Sequence, residues 1–237
     1  MSYENRHETT IEQSLEKLRD KLCVYGAKDL KKEWDKAIGI SPDLFYNTLT
    51  KDLPEKSEIY LDFNGGGDEE FSIKSEQLSA EHCFSKHHKT LELKEIRIEE
   101  SFRRKGLGKT LLENYINFSK LLGIETINGR AGREDGEFFW SKRGGVLQDC
   151  QKLKNQFIEK VKLNAAELKE KIGEETLRTI DIILMKNDVQ MNFNLASMKE
   201  KIDSVPIGVA LLKGTNPRVS FNLNDKEQMK NILMNLK

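Results

Sequence analysis

The first 55 positions carry apolar residues at helical spacing. Four apolar side chains are separated by four, three and four residues: Ile11, Leu15, Leu18 and Leu22. This is the period of one helix face, and it predicts an amphipathic helix that ends before Gly26. Two further helices are predicted, one from about residue 30 to 38 and one from Ser41, which can cap a helix that begins at Pro42.

From position 56 the pattern becomes the alternation that is typical of strands. An alternating run over 59–63 and a second over 71–73 flank a glycine-rich turn at 64–68. Two alternating runs around such a turn predict a β-hairpin. Residues 76–89 show no clear period and are predicted to be irregular.

A longer strand is predicted over 91–98, and its alternation slips by one position. Its apolar residues are Leu91, Leu93, Ile96 and Ile98. The slip between Leu93 and Ile96 predicts a β-bulge, in which one extra residue keeps the apolar side chains of both halves of the strand on the same face of the sheet. A loop with two glycines follows, and then an apolar stripe predicts a helix that ends at Gly123.

The second half of the chain is predicted to be mainly helical. Its elements are a strand over 124–128, a helix over 134–143, helices over 151–203 with a break at Gly173, strands over 205–212 and 218–223, and a helix over 226–236. The changes of pattern predict four segments. They are a helical N-terminal segment over 1–55, a core over 56–150, a helical insertion or appendage over 151–203, and C-terminal strands and a helix over 204–237.

Composition argues against several functional classes. Of the 237 residues, 33% are charged, but 39 Lys and Arg balance 39 Asp and Glu. A net charge of zero argues against general binding to nucleic acid or to an anionic membrane. Apolar residues, 37% of the chain, suffice for a core, but no apolar run is long enough to span a bilayer. Three distant cysteines and no signal-like N-terminus predict a cytoplasmic protein.

The segment that carries candidate chemistry is the loop after the predicted strand over 91–98. It contains three consecutive basic residues, Arg103 to Lys105, and two glycines, Gly106 and Gly108, and it opens directly into a helix. Free backbone N–H groups and the positive end of the helix dipole then converge on one spot. This arrangement predicts an anion site, for which phosphate is the usual ligand.

Three phosphate-binding patterns compete for this loop. The P-loop pattern matches Gly108-Lys109-Thr110, but Arg103 occupies the place of its first glycine. The dinucleotide fingerprint matches Gly106 and Gly108, but Leu111 stands at its third glycine. The third pattern, Arg/Gln-x-x-Gly-x-Gly/Ala, is matched in full by Arg103, Gly106 and Gly108.

The loop has a strand before it and a helix after it. About thirty residues on follows the string Phe138-Phe139-Trp140-Ser141-Lys142-Arg143-Gly144-Gly145. Together these features resemble the GNAT superfamily of acyl-CoA-dependent N-acetyltransferases. The resemblance covers about residues 58–148. It implies a mixed α/β fold, in which a GNAT-like core carries a helical N-terminal extension and a helical C-terminal insertion. It also implies acetyl-CoA as co-substrate, with no metal.

The resemblance further implies which residues bind acetyl-CoA. The pyrophosphate would lie on the loop, against Arg103, Arg104, Lys105, Gly106, Gly108 and Lys109. The pantetheine arm would bond to the backbone of Ile96 and Ile98 in a gap beside the strand. The acceptor would be an amine, either a protein lysine or N-terminus or a small molecule. The helical flanks could belong to an acceptor site or to a surface for a protein partner.

A carboxylate on the central strand is often the base in this family. The matching position is Glu92, and Glu95 and Glu99 are neighbours that could serve instead, while all three could also be ordinary solvated charges. The family's acid is often a tyrosine, but Trp140 stands at that place, and an indole N–H cannot act as an acid. Ser141 is a poor substitute. A second hypothesis is therefore an inactive acyl-CoA-binding or protein-interaction module.

Other candidate chemistry is weaker. The phosphate groups of coenzyme A could also meet Arg130 or Arg133. A cluster of potential zinc ligands, His82, Cys83, His87 and His88, is too crowded for a typical structural site. It is interpreted as a polar loop from which one histidine could act as a base. Cys150 is predicted to be buried.

Overall fold

The computed structural model describes residues 10–63, 68–130 and 136–236. The chain divides into two compact units, Met1–Ile124 and Glu125–Lys237. Both units contain helices and strands, and the sheet pairing is mixed, so the predicted mixed α/β class is confirmed. In the described part of the chain, no helix has the length and apolar character needed to cross a membrane.

The described residues of the first unit form ten elements. They are α1 (Ile11–Lys17), β1 (Leu22–Tyr25), α2 (Leu30–Ala37), α3 (Pro42–Thr50), β2 (Glu58–Asp62), β3 (Glu69–Lys74), β4 (Leu78–Ser85), β5 (Thr90–Ile98), a 3-10 turn (Glu100–Phe102) and α4 (Leu107–Leu122). The strands follow one another in the sheet in chain order. The pair β1–β2 is parallel, and the pairs from β2 to β5 are antiparallel.

Local sequence explains where the helices of this unit begin. The side chains of Thr10, Asp29 and Ser41 each accept a hydrogen bond from a backbone N–H in the first turn of α1, α2 and α3. Each therefore satisfies a donor that would otherwise have no partner. Pro42 occupies the first turn of α3, as predicted.

One face of the five-stranded sheet carries the core of the unit. Aromatic rings from helices and strands meet there edge to face, with Phe45 5.5 Å from Trp34 and 5.6 Å from Phe118, and Phe71 6.0 Å from Phe84. All five rings are buried. Residues of the other face are mainly polar and lie open or half-open to solvent. The unit is thus a sheet covered by helices on its apolar face.

The predicted β-bulge is present in β5. Glu81 of β4 pairs with Glu95, whereas its neighbour His82 pairs with Leu93, so Lys94 is the extra residue. Because of it, the apolar residues before and after the bulge lie opposite core residues of β4, with Leu91 paired to Phe84 and Ile98 to Leu78. The slip in the sequence pattern therefore has the predicted structural cause.

In the second unit, the ranges that the structure describes contain eleven elements. They are β6 (Thr126–Arg130), α5 (Gly136–Lys142), β7 (Val146–Leu147), α6 (Gln151–Glu167), α7 (Glu174–Lys186), α8 (Met191–Ala196), β8 (Lys201–Ile202), β9 (Val205–Pro206), α9 (Ile207–Leu212), β10 (Arg218–Asn222) and α10 (Lys226–Asn235). Strand β10 lies between β6 and β7 and is antiparallel to both. The helices α6 to α9 bury an apolar cluster that includes Phe157, Val161, Leu195 and Leu211.

Buried amides fix helices in both units. Asn114 of α4 donates both amide hydrogens to the carbonyls of Leu49 and Lys51 at the end of α3, at 3.0 and 2.8 Å. Asn164 of α6 does the same for the carbonyls of Leu211 and Lys213 at the end of α9, at 2.8 Å each. Each asparagine thereby satisfies carbonyls that a helix end leaves without a partner.

Three predicted elements were wrong. The helix expected to reach Leu22 ends at Lys17, and Leu22–Tyr25 is a strand that pairs with β2. Residues 76–89, expected to be irregular, contain β4, whose inward side chains include the small Ala80 and the polar His82, so the apolar alternation is weak. The strand expected over 205–212 is mostly the helix α9.

The strand prediction over 205–212 failed because an unbroken apolar run has no period that distinguishes a helix from a strand. The helix is tightly packed, because a Cβ atom on Gly208 would come within 2.7 Å of the Leu195 carbonyl oxygen.

Cys150, predicted to be buried, is exposed just before α6. The strand at 218–222 and the last helix at 226–235 lie where the sequence predicted them.

Candidate functional site

The loop from Glu99 to Gly106 connects the last residue of β5 to the first residue of α4. After the 3-10 turn, Arg103 is extended, and the backbone then enters the left-handed region twice, with φ of 63° at Arg104 and 91° at Gly106. A left-handed conformation is ordinary for glycine but uncommon for arginine. The loop is therefore held in a specific bent shape where it meets the helix.

The N-terminus of α4 has no side-chain cap. Its N-cap residue is Gly106, which has no side chain to accept a hydrogen bond. The N–H of Thr110 bonds to the Gly106 carbonyl at 3.0 Å, so the intrahelical ladder begins there and leaves the N–H groups of the first turn without an intrahelical acceptor. Together with the helix dipole, these groups favour an anion at this position.

The space above Gly106 is open. A Cβ atom built on this glycine would meet no other atom of the described residues within 4 Å. The glycine is thus needed here for its backbone conformation and not to avoid a clash within the chain itself. Gly106 itself is exposed, so a ligand could approach the backbone at this position.

The basic side chains of the loop are exposed but partly organised. The Arg103 Nε donates to the carbonyl oxygen of Ile98 at 3.1 Å, which ties the loop to the end of β5. The Lys105 ammonium lies 4.8 Å from the centre of the Phe102 ring, a cation–π distance. Lys109, in the first turn of α4, lies 4.0 Å from a carboxylate oxygen of Glu113. The loop therefore presents several cations around the helix N-terminus.

Both isoleucines expected to contact pantetheine lie on β5 beside this loop. Ile96 and Ile98 are half-buried and pair with Ala80 and Leu78 of β4. The carbonyl of Ile98 already accepts the Arg103 hydrogen bond. The expected bonds between the pantetheine arm and the backbone of these two residues stay a prediction.

The three candidate carboxylates are all exposed, but they differ in their surroundings. Glu92 and Glu95 lie on the solvent-facing side of β5, opposite Cys83 and Glu81 of β4. Glu95 is bonded to Arg97 on the same strand, at 2.9 Å from its Nε. Glu99 follows the strand and precedes the 3-10 turn. Their roles as base stay predictions.

Trp140 and Ser141 lie in the interior of the second unit. Trp140 is buried, with its ring centre 6.0 Å from that of Phe221. The Ser141 hydroxyl is fully buried and accepts a hydrogen bond from the Asn192 amide at 3.0 Å. Ser141 is thus a structural residue. Arg130 ends β6, and Arg133 lies outside the described residues.

The four potential zinc ligands do not form a site. His82 and Cys83 point to opposite faces of β4, and His87 and His88 lie in the turn after it. No group of three or more His, Cys, Asp or Glu within the described ranges could hold a metal ion. Burial lowers the pKa of His82 to about 3, so this histidine is neutral and is no candidate for a solvent-exposed base.

His82 and Tyr115 form a buried polar pair that the sequence pattern did not reveal. The Tyr115 hydroxyl and the His82 Nε2 are 2.6 Å apart, and the histidine ring lies 4.8 Å from Phe71. Burial also raises the pKa of Tyr115 well above its usual value. The pair joins α4, which carries the loop, to the position of the bulge. Only a long-range contact brings the two residues together, so no local signal could have found them.

Comparisons with known proteins give weak likenesses. No protein-family model and no curated protein matches the chain. Among solved structures, a nourseothricin acetyltransferase aligns over 29% of this chain and 43% of its own length, less than half of it, at 15% identity and a TM-score of 0.24. A GNAT-family acetyltransferase from Staphylococcus aureus Mu50 aligns over 63% of this chain and 85% of its own, at 14% identity and a TM-score of 0.29. At these scores the likenesses carry no argument about function.

Proposed function

We propose that this protein is an acyl-CoA-dependent N-acyltransferase that moves an acetyl group from acetyl-CoA to an amine. The observation that carries the proposal is the junction of β5 and α4. A basic loop there bends twice through left-handed conformations and ends at the exposed Gly106, which leaves the first turn of α4 without a side-chain cap. This junction suits a pyrophosphate, and it coincides with the full Arg103-x-x-Gly106-x-Gly108 pattern.

The loop would hold the co-substrate by its phosphates. Backbone N–H groups at Gly108 and Lys109 would donate to pyrophosphate oxygens, while Arg104 and Lys105 would neutralise charge from the solvent side. Arg103, bonded to the Ile98 carbonyl, would keep the loop close to the strand along which the pantetheine arm would run. These interactions bind and orient the thioester.

The acyl transfer itself would be a direct attack. A neutral amine adds to the thioester carbonyl, the oxyanion collapses, and the thiolate leaves and takes a proton. The chain must accept the proton of the incoming ammonium, and we assign this role to Glu92, with Glu95 and Glu99 as alternatives. Exposed carboxylates along β5 would also attract a cationic acceptor, whether a protein lysine, an N-terminus or a small amine.

A second candidate function is an acyl-CoA-binding or partner-binding module with little or no turnover. The burial of Trp140 and Ser141 favours it, because neither side chain can protonate a leaving thiolate. Water would then have to supply that proton. On composition, we propose a cytoplasmic location. We also propose that the helical flanks provide the surface for a protein partner.

Calorimetric titration tests the phosphate-binding part of the proposal. We expect the full-length protein to bind acetyl-CoA and coenzyme A and not ATP. A release assay for free thiol with a panel of amines and whole lysate then separates the two functions, since turnover supports the enzyme and saturable binding without turnover supports the module. Binding of ATP without binding of coenzyme A would overturn both.

Two glycines of α4 give a matched pair of variants. Gly106 and Gly123, at its two ends, both have positive φ, 91° and 70°, and both face open space. Gly106→Trp and Gly123→Trp should therefore cost similar stability, about 1–2 kcal/mol from backbone strain. Only Gly106→Trp should abolish binding of coenzyme A, because its side chain would fill the pyrophosphate position. Equal affinity in the two variants would contradict the loop assignment.

A further inference from the structure

Strand β1 forms an open edge of the sheet. It pairs with β2 on one side, and no other described strand pairs with its second side. A groove of about 400 Å³ adjoins it, lined by β1, by α1 and by Leu30 at the start of α2. Residues from both faces of β1 line this groove, so it lies at the edge of the strand. The proposed function makes no use of it.

The pairing with β2 determines which backbone groups face the groove. The carbonyls of Lys21 and Tyr25 accept hydrogen bonds from the N–H groups of Ile59 and Phe63 on the β2 side, at 2.7 and 3.1 Å. Because directions alternate along a strand and each peptide is trans, the groups between them point outward. The outward groups are the C=O of Leu22, the N–H and C=O of Val24 and the N–H of Gly26. Within the described ranges, none of them has a hydrogen-bond partner.

This row of outward groups is complementary to itself. Along the strand it runs acceptor, donor, acceptor, donor. After a rotation of 180° about Val24, the two Val24 residues face each other and exchange both bonds, and each Leu22 carbonyl faces a Gly26 N–H. A register centred on Cys23 is poorer, because it needs the N–H of Leu22, which already bonds to the Leu18 carbonyl at 2.8 Å.

The composition of β1 does not prevent pairing at this edge. The strand, Leu-Cys-Val-Tyr, has no lysine and no proline, and its register with β2 has no bulge. Apolar side chains at the groove, those of Leu15, Val24 and Leu30, are half-buried, and pairing would remove more of their surface from water. Because β1 has only four residues, we expect a weak and reversible association.

The charges at the groove suit an identical partner. Helix α1 contributes both signs to the lining, with Glu12 near its start and Arg19 just after its end. A two-fold axis makes the two α1 helices antiparallel, so Arg19 of one copy lies toward Glu12 of the other. The exposed ion pair between Arg19 and Glu16, at 3.1 Å, costs little to exchange. The chain also has zero net charge, so two copies do not repel each other generally.

We propose that β1 pairs with β1 of a second copy of this chain, antiparallel and with the two-fold axis at Val24. The sheets of the two copies then join, and the same residues form both sides of the interface. Cys23 of each copy lies opposite Tyr25 of the other, on the solvent-facing side. The strands β2, β3 and β4 separate this interface from β5 and its loop, so the pairing does not depend on the proposed function.

Sedimentation equilibrium of the full-length protein tests the association. We expect the mean mass to rise in the micromolar range from that of one chain toward that of two. Val24→Pro removes an N–H that the pairing with β2 does not use, so the variant should fold and should dimerise about tenfold more weakly. Val24→Ile keeps both backbone groups and should dimerise like the wild type. If the wild type stays monomeric, or if folded Val24→Pro dimerises equally well, the proposal is overturned.

Disulfide trapping tests the register and does not depend on the proline variant. All three cysteines are free. In a background of Cys83→Ser and Cys150→Ser, Tyr25→Cys should link two copies on mild oxidation, because Cβ atoms of directly opposite residues lie about 4.5–5.5 Å apart. The background alone, and Tyr25→Cys combined with Cys23→Ser, each keep one thiol per chain, and these thiols lie diagonally across the axis. Both controls should link far less, and equal linking in all three proteins, or none, would contradict this register.

Discussion

Glu92 and Glu95 illustrate how much a single residue's role depends on its neighbours. Both lie on the solvent-facing side of β5, and the bulged Lys94 separates them. Glu95 bonds to Arg97 along the strand, which holds its carboxylate and compensates its charge. Because of the extra residue, Glu92 and Glu95 pair with Cys83 and Glu81, which lie on the same face of β4, so both carboxylates are on the solvent-facing side of the sheet.

The proposed role of Glu92 as the base predicts unequal effects of isosteric substitution at the two positions. Glu92→Gln should lower turnover about 100-fold, the lower end for loss of a general base, with affinity for acetyl-CoA unchanged. Glu95→Gln should change turnover less than about threefold, because an exposed ion pair contributes little. Steady-state rates for both variants with one acceptor check this. If Glu92→Gln is fully active, Glu92 is not the base, and a loss confined to Glu95→Gln would transfer the role there.

At the scale of elements, the bulge in β5 decides how the strand meets the loop. Before Lys94 the core residues are at odd positions, Leu91 and Leu93, and after it they are at even positions, Ile96 and Ile98. Each apolar residue left on the solvent side would forfeit roughly 1.5–3 kcal/mol of burial. The bulge is thus the arrangement that the hydrophobic pattern requires.

Deletion of Lys94 should therefore be tolerated. Without it, strict alternation would keep Leu93 and Ile96 on the core face, and the lost ion pair to Glu70 is exposed and worth at most about 1 kcal/mol. Deletion of Ser72, an outward residue of the regular strand β3, would instead send Ile73 to solvent and should cost several kcal/mol. Denaturant unfolding of both variants makes the comparison, and equal losses would contradict this account of the bulge.

At the scale of the whole molecule, a buried neutral histidine couples stability to pH. The pKa of His82 is about 3 in the folded protein and about 6.5 when the chain is unfolded. Between these values the unfolded state binds the proton and the folded state does not. Stability contributed by neutral His82 is complete above about pH 6.5 and is lost as the pH falls toward 3.

Replacement of His82 should flatten this dependence. In His82→Phe, the fall in unfolding free energy between pH 7 and pH 4 should be smaller than in the wild type, by a few kcal/mol at most. The variant also removes the partner of the Tyr115 hydroxyl, and this changes the stability at neutral pH without affecting the comparison of slopes. His87→Phe, in the exposed turn after β4, should leave the slope unchanged. Urea unfolding across this pH range checks both, and identical slopes in wild type and His82→Phe would show that His82 titrates normally.

Local sequence signals determined a large part of this protein. The caps at Thr10, Asp29 and Ser41, the hairpin of β2 and β3, the bulge in β5 and the junction of loop and helix at Gly106 follow from residues close together in the chain. Each rests on hydrogen bonds or an alternation that spans a few residues. For the same reason, the candidate anion site on α4 could be predicted before any tertiary contact was known.

Tertiary structure alone decided the rest. Leu22–Tyr25 is a strand because β2 lies beside it, and the apolar run at 207–212 is a helix packed against α8. His82 is neutral because Phe71 and Tyr115 enclose it. Each outcome depends on residues far apart in sequence, whose contact replaces water and sets the cost of a charge, and no local pattern encodes that.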